Sequence, residues 1–293
     1  MPTTNIESEA RKVARTVTGT KTVDGAGVNL VRVLGYRTTR DFDPFLMLDA
    51  FDSENPDDYI RGFPMHPHRG IETVTYLISG EIEHEDSLGN SGRITDGSCQ
   101  WMTAGSGILH QEMPKESARM LGLQLWINLP ARKKMVYPKY NGLEAKDIPV
   151  IDEDGARIRI LSGMYKDTKG AMQAEYVQAT YLDVELMPGQ SWSVETNPED
   201  TVFAYPLLGS LSCEQGQPSL EARQAILFTQ GYSIDFKAGP DGARFVLLSA
   251  PRLNEPVAWG GPIVMNTEEQ LRDAFMELEL NSFIKHNAGG GSV

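Results

Sequence analysis

Cysteine and histidine are both scarce in this chain. Cys99 and Cys213 are the only cysteines in 293 residues. Each lies in an alternating, strand-like segment, so a disulfide framework is not expected, and neither is a structural zinc site closed by thiolates. Long apolar runs are missing as well, because no segment approaches the roughly 18–20 apolar residues that span a bilayer. The stretch 1–15 is polar and charged with no apolar centre, which argues against a secretory leader. A cytoplasmic protein without a membrane partner is the expectation. Basic clusters are the third absence. Lys and Arg number 27 against 40 Asp and Glu, for a net charge of −13, and the densest basic run is Arg132-Lys133-Lys134. A protein that reads nucleic acid through its phosphates carries a basic face, so direct nucleic-acid binding is disfavoured. A protein partner stays open, and a monomer is expected.

The few histidines are concentrated. Four of the five (His66, His68, His84 and His110) fall between Met65 and Met113, and His286 stands alone near the C-terminus. In an extended strand, side chains at i and i+2 share a face. His66 with His68, and His110 with Glu112, are therefore two same-face pairs. A lone His-x-His is an ordinary feature of many proteins. A second His-x-Glu on another predicted strand, in a chain otherwise nearly free of histidine, points to three imidazoles and one carboxylate converging on one metal ion. Those donors suit iron, nickel, copper, manganese or zinc, with an open position for substrate or oxygen.

Glycine (28) and proline (17) punctuate many short alternating segments, the pattern of a sandwich or barrel rather than of a helical protein. Strands are expected over 28–34, 45–51, 72–78, 81–85, 100–102, 108–113 and 121–129. The stretch 130–149 reads as a connection. A second series is expected over 156–161, 181–186, 201–208, 211–214, 224–228, 233–237 and 244–249. Thr267 with Gln270 forms a capping-box pattern, and Leu271, Ala274, Phe275 and Leu278 follow at helical spacing. This predicts a C-terminal helix of about four turns before a flexible end at 289–292. Two domains are expected, 1–135 with the metal site and 136–293 without it. A shift of 129 positions aligns Gly80 with Gly209 and carries His66 onto Glu195 and His68 onto Asn197. The counterpart of His110 falls within 234–236, so the second half repeats the fold without the ligands.

Asp43-Pro44-Phe45-Leu46, the run Phe63-Pro64-Met65-His66-Pro67-His68-Arg69-Gly70, and His84-Glu85-Asp86-Ser87 carry a family likeness. It continues through Gln100-Trp101-Met102-Thr103-Ala104-Gly105, His110-Gln111-Glu112-Met113-Pro114 and the segment from Gly122 to Pro130. On these residues the chain resembles the cupins and, more narrowly, the pirin family, over nearly its whole length. The resemblance implies an all-β fold of two tandem cupin β-barrels (a bicupin) with a short C-terminal α-helix. It also implies one mononuclear metal, usually Fe(II), with other divalent first-row metals able to replace it. The matching ligands are His66, His68, His110 and Glu112. A general cupin would use Glu72 as the carboxylate instead, and the pirin pattern favours Glu112.

Two activities come with the resemblance. One is an Fe(II)-dependent dioxygenase, similar to quercetin 2,3-dioxygenase, that opens the central ring of a flavonol with O2 and releases carbon monoxide. Its partners are then a flavonol or related phenolic and O2, with Glu112 as ligand and catalytic base. The alternative is an iron-binding, redox-responsive regulatory protein acting through a transcription factor or a metabolic enzyme. Trp101, Met102 and Trp126 are candidates for an apolar pocket wall, or for plain core. His84 reads as a structural histidine bonded to Asp86 or to backbone, and Arg69-Gly70 as a turn that aims His68.

Overall fold

The computed structural model describes residues 10–213, 220–221 and 223–286. The flexible end expected at 289–292, the first nine residues of the polar N-terminus, and Glu214 at the close of the expected 211–214 strand lie outside the described residues. The chain divides into two compact units, Thr20–Asp147 with Leu253–Val293, and Met1–Gly19 with Ile148–Arg252. The units are interleaved in sequence, which differs from the expected break after residue 135. The reason lies in the presumed connection at 130–149. Lys139–Leu143 is a strand that pairs antiparallel with Cys99–Thr103 and forms the edge of the first unit's sheet. The C-terminal helix likewise belongs with the histidine-bearing unit, not with the second one.

The histidine-bearing unit contains a seven-stranded sheet. Its order is Lys139–Leu143, Cys99–Thr103, Ile71–Ser79, Met120–Asn128, Phe45–Ser53, Val28–Leu34 and Thr20–Asp24. A four-stranded sheet of Phe63–His68, Ile108–Pro114, Ile82–Asp86 and Ser91–Ile94 accompanies it. Val28, Leu30, Phe51 and Leu77 of the larger sheet share one buried cluster with Ile82 and Ile94 of the smaller, so an apolar core joins the two sheets. Ile71–Ser79 is buried over nearly its whole length, as a strand covered on both faces must be.

The other unit contains a nine-stranded sheet around Ile158, Ile160, Leu182, Val184, Trp192, Phe236 and Phe245. The Phe236 and Phe245 ring centroids lie 4.8 Å apart. Expected breaks at residues 209–210 and 238–243 are absent, and Thr201–Ser212 and Ser233–Ala250 are continuous strands. The stretch between the expected strands, Gly239-Pro240-Asp241-Gly242, is absorbed as a bulge. Leu211 pairs with Ala238 while Gly209 pairs with Ala243. Gly209 has φ +68°, and a Cβ there would come within 2.1 Å of the Gly242 carbonyl oxygen, so glycine is what allows the two strands to stay paired past the bulge.

The C-terminal helix spans Glu268–Glu279. Thr267 caps it by accepting from the Gln270 amide at 3.2 Å, and Gln270 Oε1 accepts from the amide of Asn266 at 3.1 Å, one residue earlier than a standard capping box. Leu271 and Ala274 are buried, whereas Phe275 is 38% exposed, so the apolar stripe is narrower than its spacing suggests. Among the described residues no helix is long and apolar enough to cross a membrane.

Candidate metal centre

His66 and His68 sit on Phe63–His68, and His110 and Glu112 on Ile108–Pro114. The two strands are antiparallel neighbours in which His110 faces His66 and Ile108 faces His68. Strand alternation puts each pair on one face, and this register brings the pairs side by side. One ligand atom from each of His66, His68 and His110 falls in a group whose members all lie within 4.8 Å of one another. Ring centroids are 4.8 Å apart for His66–His68, 4.4 Å for His66–His110 and 5.0 Å for His68–His110. The turns at the strand ends need glycine. Gly70 has φ +79°, and a Cβ there would sit 2.0 Å from the Val264 carbonyl oxygen. Gly105 has φ +52°, with the Val136 carbonyl oxygen 2.2 Å away from the same hypothetical atom.

The hydrogen bonds around the rings fit a metal. His66 Nδ1 lies 2.9 Å from the Pro64 carbonyl oxygen and His68 Nδ1 lies 3.1 Å from that of Pro262. A carbonyl only accepts, so both Nδ1 atoms carry the proton and both Nε2 atoms are left with lone pairs. Those Nε2 atoms are 3.0 Å apart, close for two lone pairs unless a cation lies beside them. Donors held at about 2.1 Å from one ion and at right angles to each other are about 3.0 Å apart. His110 is 1% exposed, and neither ring nitrogen has a hydrogen-bond partner among the described residues. A buried orphan nitrogen of this kind is rare unless an ion completes it. Burial, followed by the neighbouring His66, pushes His68 down to about 3. Burial, with His68, His66 and His84 nearby, lowers His110 well below its ordinary value. Neutral imidazoles are the form that ligates metal.

Glu112 shares the His110 strand face and is 3% exposed. Its carboxylate is not in the histidine group. Instead, Oε1 accepts from the Thr75 hydroxyl at 2.6 Å and Oε2 accepts from Gln124 Nε2 at 3.1 Å. The Thr75 hydroxyl also bonds Gln124 Oε1. Thr75 and Gln124 are direct cross-strand partners. Burial raises the Glu112 pKa, against the opposing pull of Thr75, His66 and Gln124. Glu72 lies elsewhere. It accepts from Thr103 at 2.7 Å on the neighbouring strand, and it belongs neither to the histidine group nor to the wall of the adjoining cavity.

That cavity has a volume of about 710 Å³, and His66, His68, Glu112, Gln124, Trp126 and Trp259 are among the residues lining it. Trp126 meets the His68 ring edge-on at 5.0 Å, and its ring lies tilted against that of Trp259 at 5.8 Å. Trp101 and Met102, the other candidates for the wall, are fully buried core and do not reach it. His84 is structural, but its partner is the Tyr140 hydroxyl at 2.5 Å rather than Asp86. Asp86 instead accepts from the amides of Leu88 and Asn90 and from the Asn90 side chain. Arg69 does more than turn the chain. Buried, it donates to the carbonyls of Ser106 (2.7 Å) and Phe283 (2.9 Å) and pairs with Glu277 at 2.7 Å. It thereby ties the C-terminal segment to the turn after His68.

Sequence reasoning missed Thr75, Gln124, Trp259 and the Pro262 carbonyl. Gln124 left one signal, a polar residue in the largely apolar strand Met120–Asn128, whereas Thr75 stands among Glu72 and Thr73 in Ile71–Ser79 and left none. Pro262 and Trp259 left none, because they reach the histidines only through a segment some 190 residues away along the chain. In the second unit Glu195 pairs with Ser233, whereas His66 pairs with His110. The counterpart of His110 is thus Ser233, one residue before the expected interval. The described residues of that unit hold no cluster of metal-binding side chains.

Residues 27–127 match the family model described as Pirin, and residues 181–284 match the Pirin C-terminal cupin domain. A Pseudomonas aeruginosa protein named "Putative quercetin 2,3-dioxygenase" is 41% identical over 276 residues, 91% of this chain and 96% of that one. The crystal structure of quercetin 2,3-dioxygenase from Acinetobacter baumannii superposes with a TM-score of 0.87 at 32% identity, covering 94% of this chain and 99% of that one. The bacterial pirin YhhW from Escherichia coli, solved in complex with nickel(II), shares the fold with a TM-score of 0.63 at 18% identity, over 81% of this chain and 99% of that one. With two cupin domains, three clustered histidines in the first of them and matches along both, this chain belongs to the pirin family.

Proposed function

We propose that the protein is a metal-dependent dioxygenase of flavonols or related enolisable phenolics, with Fe(II) as the working metal. His66, His68 and His110 hold the ion. The observation that carries this reading is the cluster of three imidazoles, one of them buried with no hydrogen-bond partner among the described residues and the other two opening onto an aromatic-walled cavity beside the buried Glu112 carboxylate. When bound, a divalent ion supplies Lewis-acid stabilisation for the oxyanion of a deprotonated 3-hydroxyl. Glu112 takes that proton. Its raised pKa makes it a better base than an ordinary surface carboxylate. Thr75 and Gln124 orient it: the single Thr75 proton turns to Glu112 when the carboxylate is ionised and to Gln124 when it is protonated. Ligation is the second role proposed for Glu112, and each of its oxygens keeps a lone pair for it beside these bonds. Trp126 and Trp259 offer flat apolar surface to the rings and keep water away from the reacting carbon. Overall, one flavonol and one O2 give a ring-opened ester and one carbon monoxide.

The test is to load the protein anaerobically with iron, add quercetin, admit oxygen, and follow flavonol absorbance together with carbon monoxide. Turnover that needs metal and is lost in Glu112→Ala is expected. Tight iron binding without turnover would overturn the enzyme reading in favour of a metal-responsive regulatory protein.

A further inference from the structure

The cavity holds a charged triad that the chemistry above does not use. Arg32 faces Asp49 across neighbouring strands. Its Nε donates to Asp49 Oδ1 at 2.9 Å, and its Nη2 donates to Asp49 Oδ2 at 2.6 Å and to Asp24 Oδ2 at 2.6 Å. Asp49 is 3% exposed, so the guanidinium is clamped by a buried carboxylate rather than loose at a surface. All three residues line the same cavity as His66, His68 and Trp259. The clamp uses Nε and Nη2, which leaves the two N–H groups of Nη1 without a partner among the described residues. Asp24, half-exposed, accepts from the Gly25 amide at 2.7 Å and from Arg32, and its oxygens keep further lone pairs.

We propose that Asp24 and Arg32 recognise hydroxyl groups on an uncharged aromatic ring of the substrate, so that the cavity selects ring-hydroxylated phenolics and rejects those whose ring carries an anionic group. This rests on the phenolic dioxygenase reading. One cation and two carboxylates leave the triad with a net charge of −1, which repels a carboxylate or sulfate and leaves a hydroxyl unpenalised. A phenol both donates and accepts. Two neighbouring hydroxyls can donate to Asp24 and accept from Nη1, which is the complement of what the clamp leaves free. Trp126, Trp259 and Tyr36, linked by centroid distances of 5.8 and 6.1 Å, offer the apolar surface for the rings that carry them.

The test reads binding rather than turnover, by quenching of tryptophan fluorescence in metal-loaded protein without oxygen. The probes are quercetin, galangin (the same flavonol without hydroxyls on the pendant ring) and quercetin 3′-sulfate. The wild type is expected to bind quercetin about tenfold more tightly than galangin, the worth of one or two hydrogen bonds, and to bind the sulfate more weakly than either. Asp24→Ala, which leaves Arg32 clamped by Asp49, is expected to bring quercetin most of the way to the galangin value. Asp24→Asn, which keeps an oxygen for the Gly25 amide and so guards against misfolding, is expected to improve binding of the sulfate. Equal binding of quercetin and galangin by the wild type, or an unchanged ratio in Asp24→Ala, would overturn the assignment while leaving the dioxygenase reading intact. Failure to bind either flavonol would remove both.

Discussion

Thr75→Val is the sharpest probe of the Glu112 environment. Valine keeps the β-branched shape of a side chain that is 2% exposed, but removes the hydroxyl lying between Glu112 and Gln124. The hydroxyl can serve both protonation states of Glu112: it donates to the ionised form, and it accepts from the protonated form while donating to Gln124. A hydrogen bond to a charged acceptor contributes roughly 1.5–3 kcal/mol and one between neutral groups roughly 0.5–1.5; the ionised form loses one of the first kind and the protonated form two of the second, so the net penalty falls on the ionised form and stays below about 1 kcal/mol. The Glu112 pKa therefore rises, by less than the one unit that about 1.4 kcal/mol would give. The direction follows from the cause, since burial already raises this pKa and the Thr75 bond opposes the rise. The assay is kcat/KM for quercetin from pH 5 to 9, with metal content measured in every preparation. The acid limb of the profile should move to higher pH by somewhat less than one unit. A limb that stays put or moves to lower pH at full metal occupancy would refute the role given to Thr75 and to the carboxylate it holds.

Two further outcomes are expected. His110→Ala removes one of three neighbouring donors, so dialysed protein should lose its bound metal, read by elemental analysis, with an unchanged far-UV circular dichroism spectrum; a full metal equivalent in the variant would sink the site. Lys134, 2% exposed, donates to the carbonyls of Gly70 (2.8 Å) and Val264 (2.9 Å) and to Asn128 Oδ1, and Lys134→Met leaves these acceptors unpaired at a cost of roughly 2–4 kcal/mol. Burial pushes the Lys134 amine down to about 7, with Glu255 opposing. The native state therefore binds fewer protons than the unfolded chain between pH 7 and 10.5, and wild-type stability should fall as the pH is lowered through that window. Urea melts at pH 7 and 9.5 check this, and the same slope in Lys134→Met would show that another group is responsible.

Much of the histidine site was legible because its logic is local. The i, i+2 repeat of a strand is a property of a few consecutive residues, so His66 with His68 and His110 with Glu112 could be paired before any fold was known. The choice between Glu72 and Glu112 was less so, since Glu72 follows the His66–His68 pair and Glu112 follows His110, both at plausible spacing. Glu72 faces Thr103 and Ile127 in the larger sheet, while the strand of Glu112 runs beside that of His66. That separation is a matter of which strands are neighbours. Trp101 and Trp126 illustrate the same limit, because both are aromatic residues in apolar strands and only one borders the cavity.

The sequence by itself determined the strand-rich class, the position of the C-terminal helix, the concentration of four of the five histidines between Met65 and Met113, and the family. Each rests on periodicity, composition or motif, which are carried by short stretches of chain. Tertiary structure alone decided that the C-terminal segment joins the histidine-bearing unit, that the Pro262 carbonyl holds His68 and leaves its Nε2 free, and that Arg32 is clamped between Asp49 and Asp24 in the cavity wall. These are contacts between residues far apart along the chain. Strand order and register create them, and no local pattern encodes which distant backbone oxygen or carboxylate will arrive.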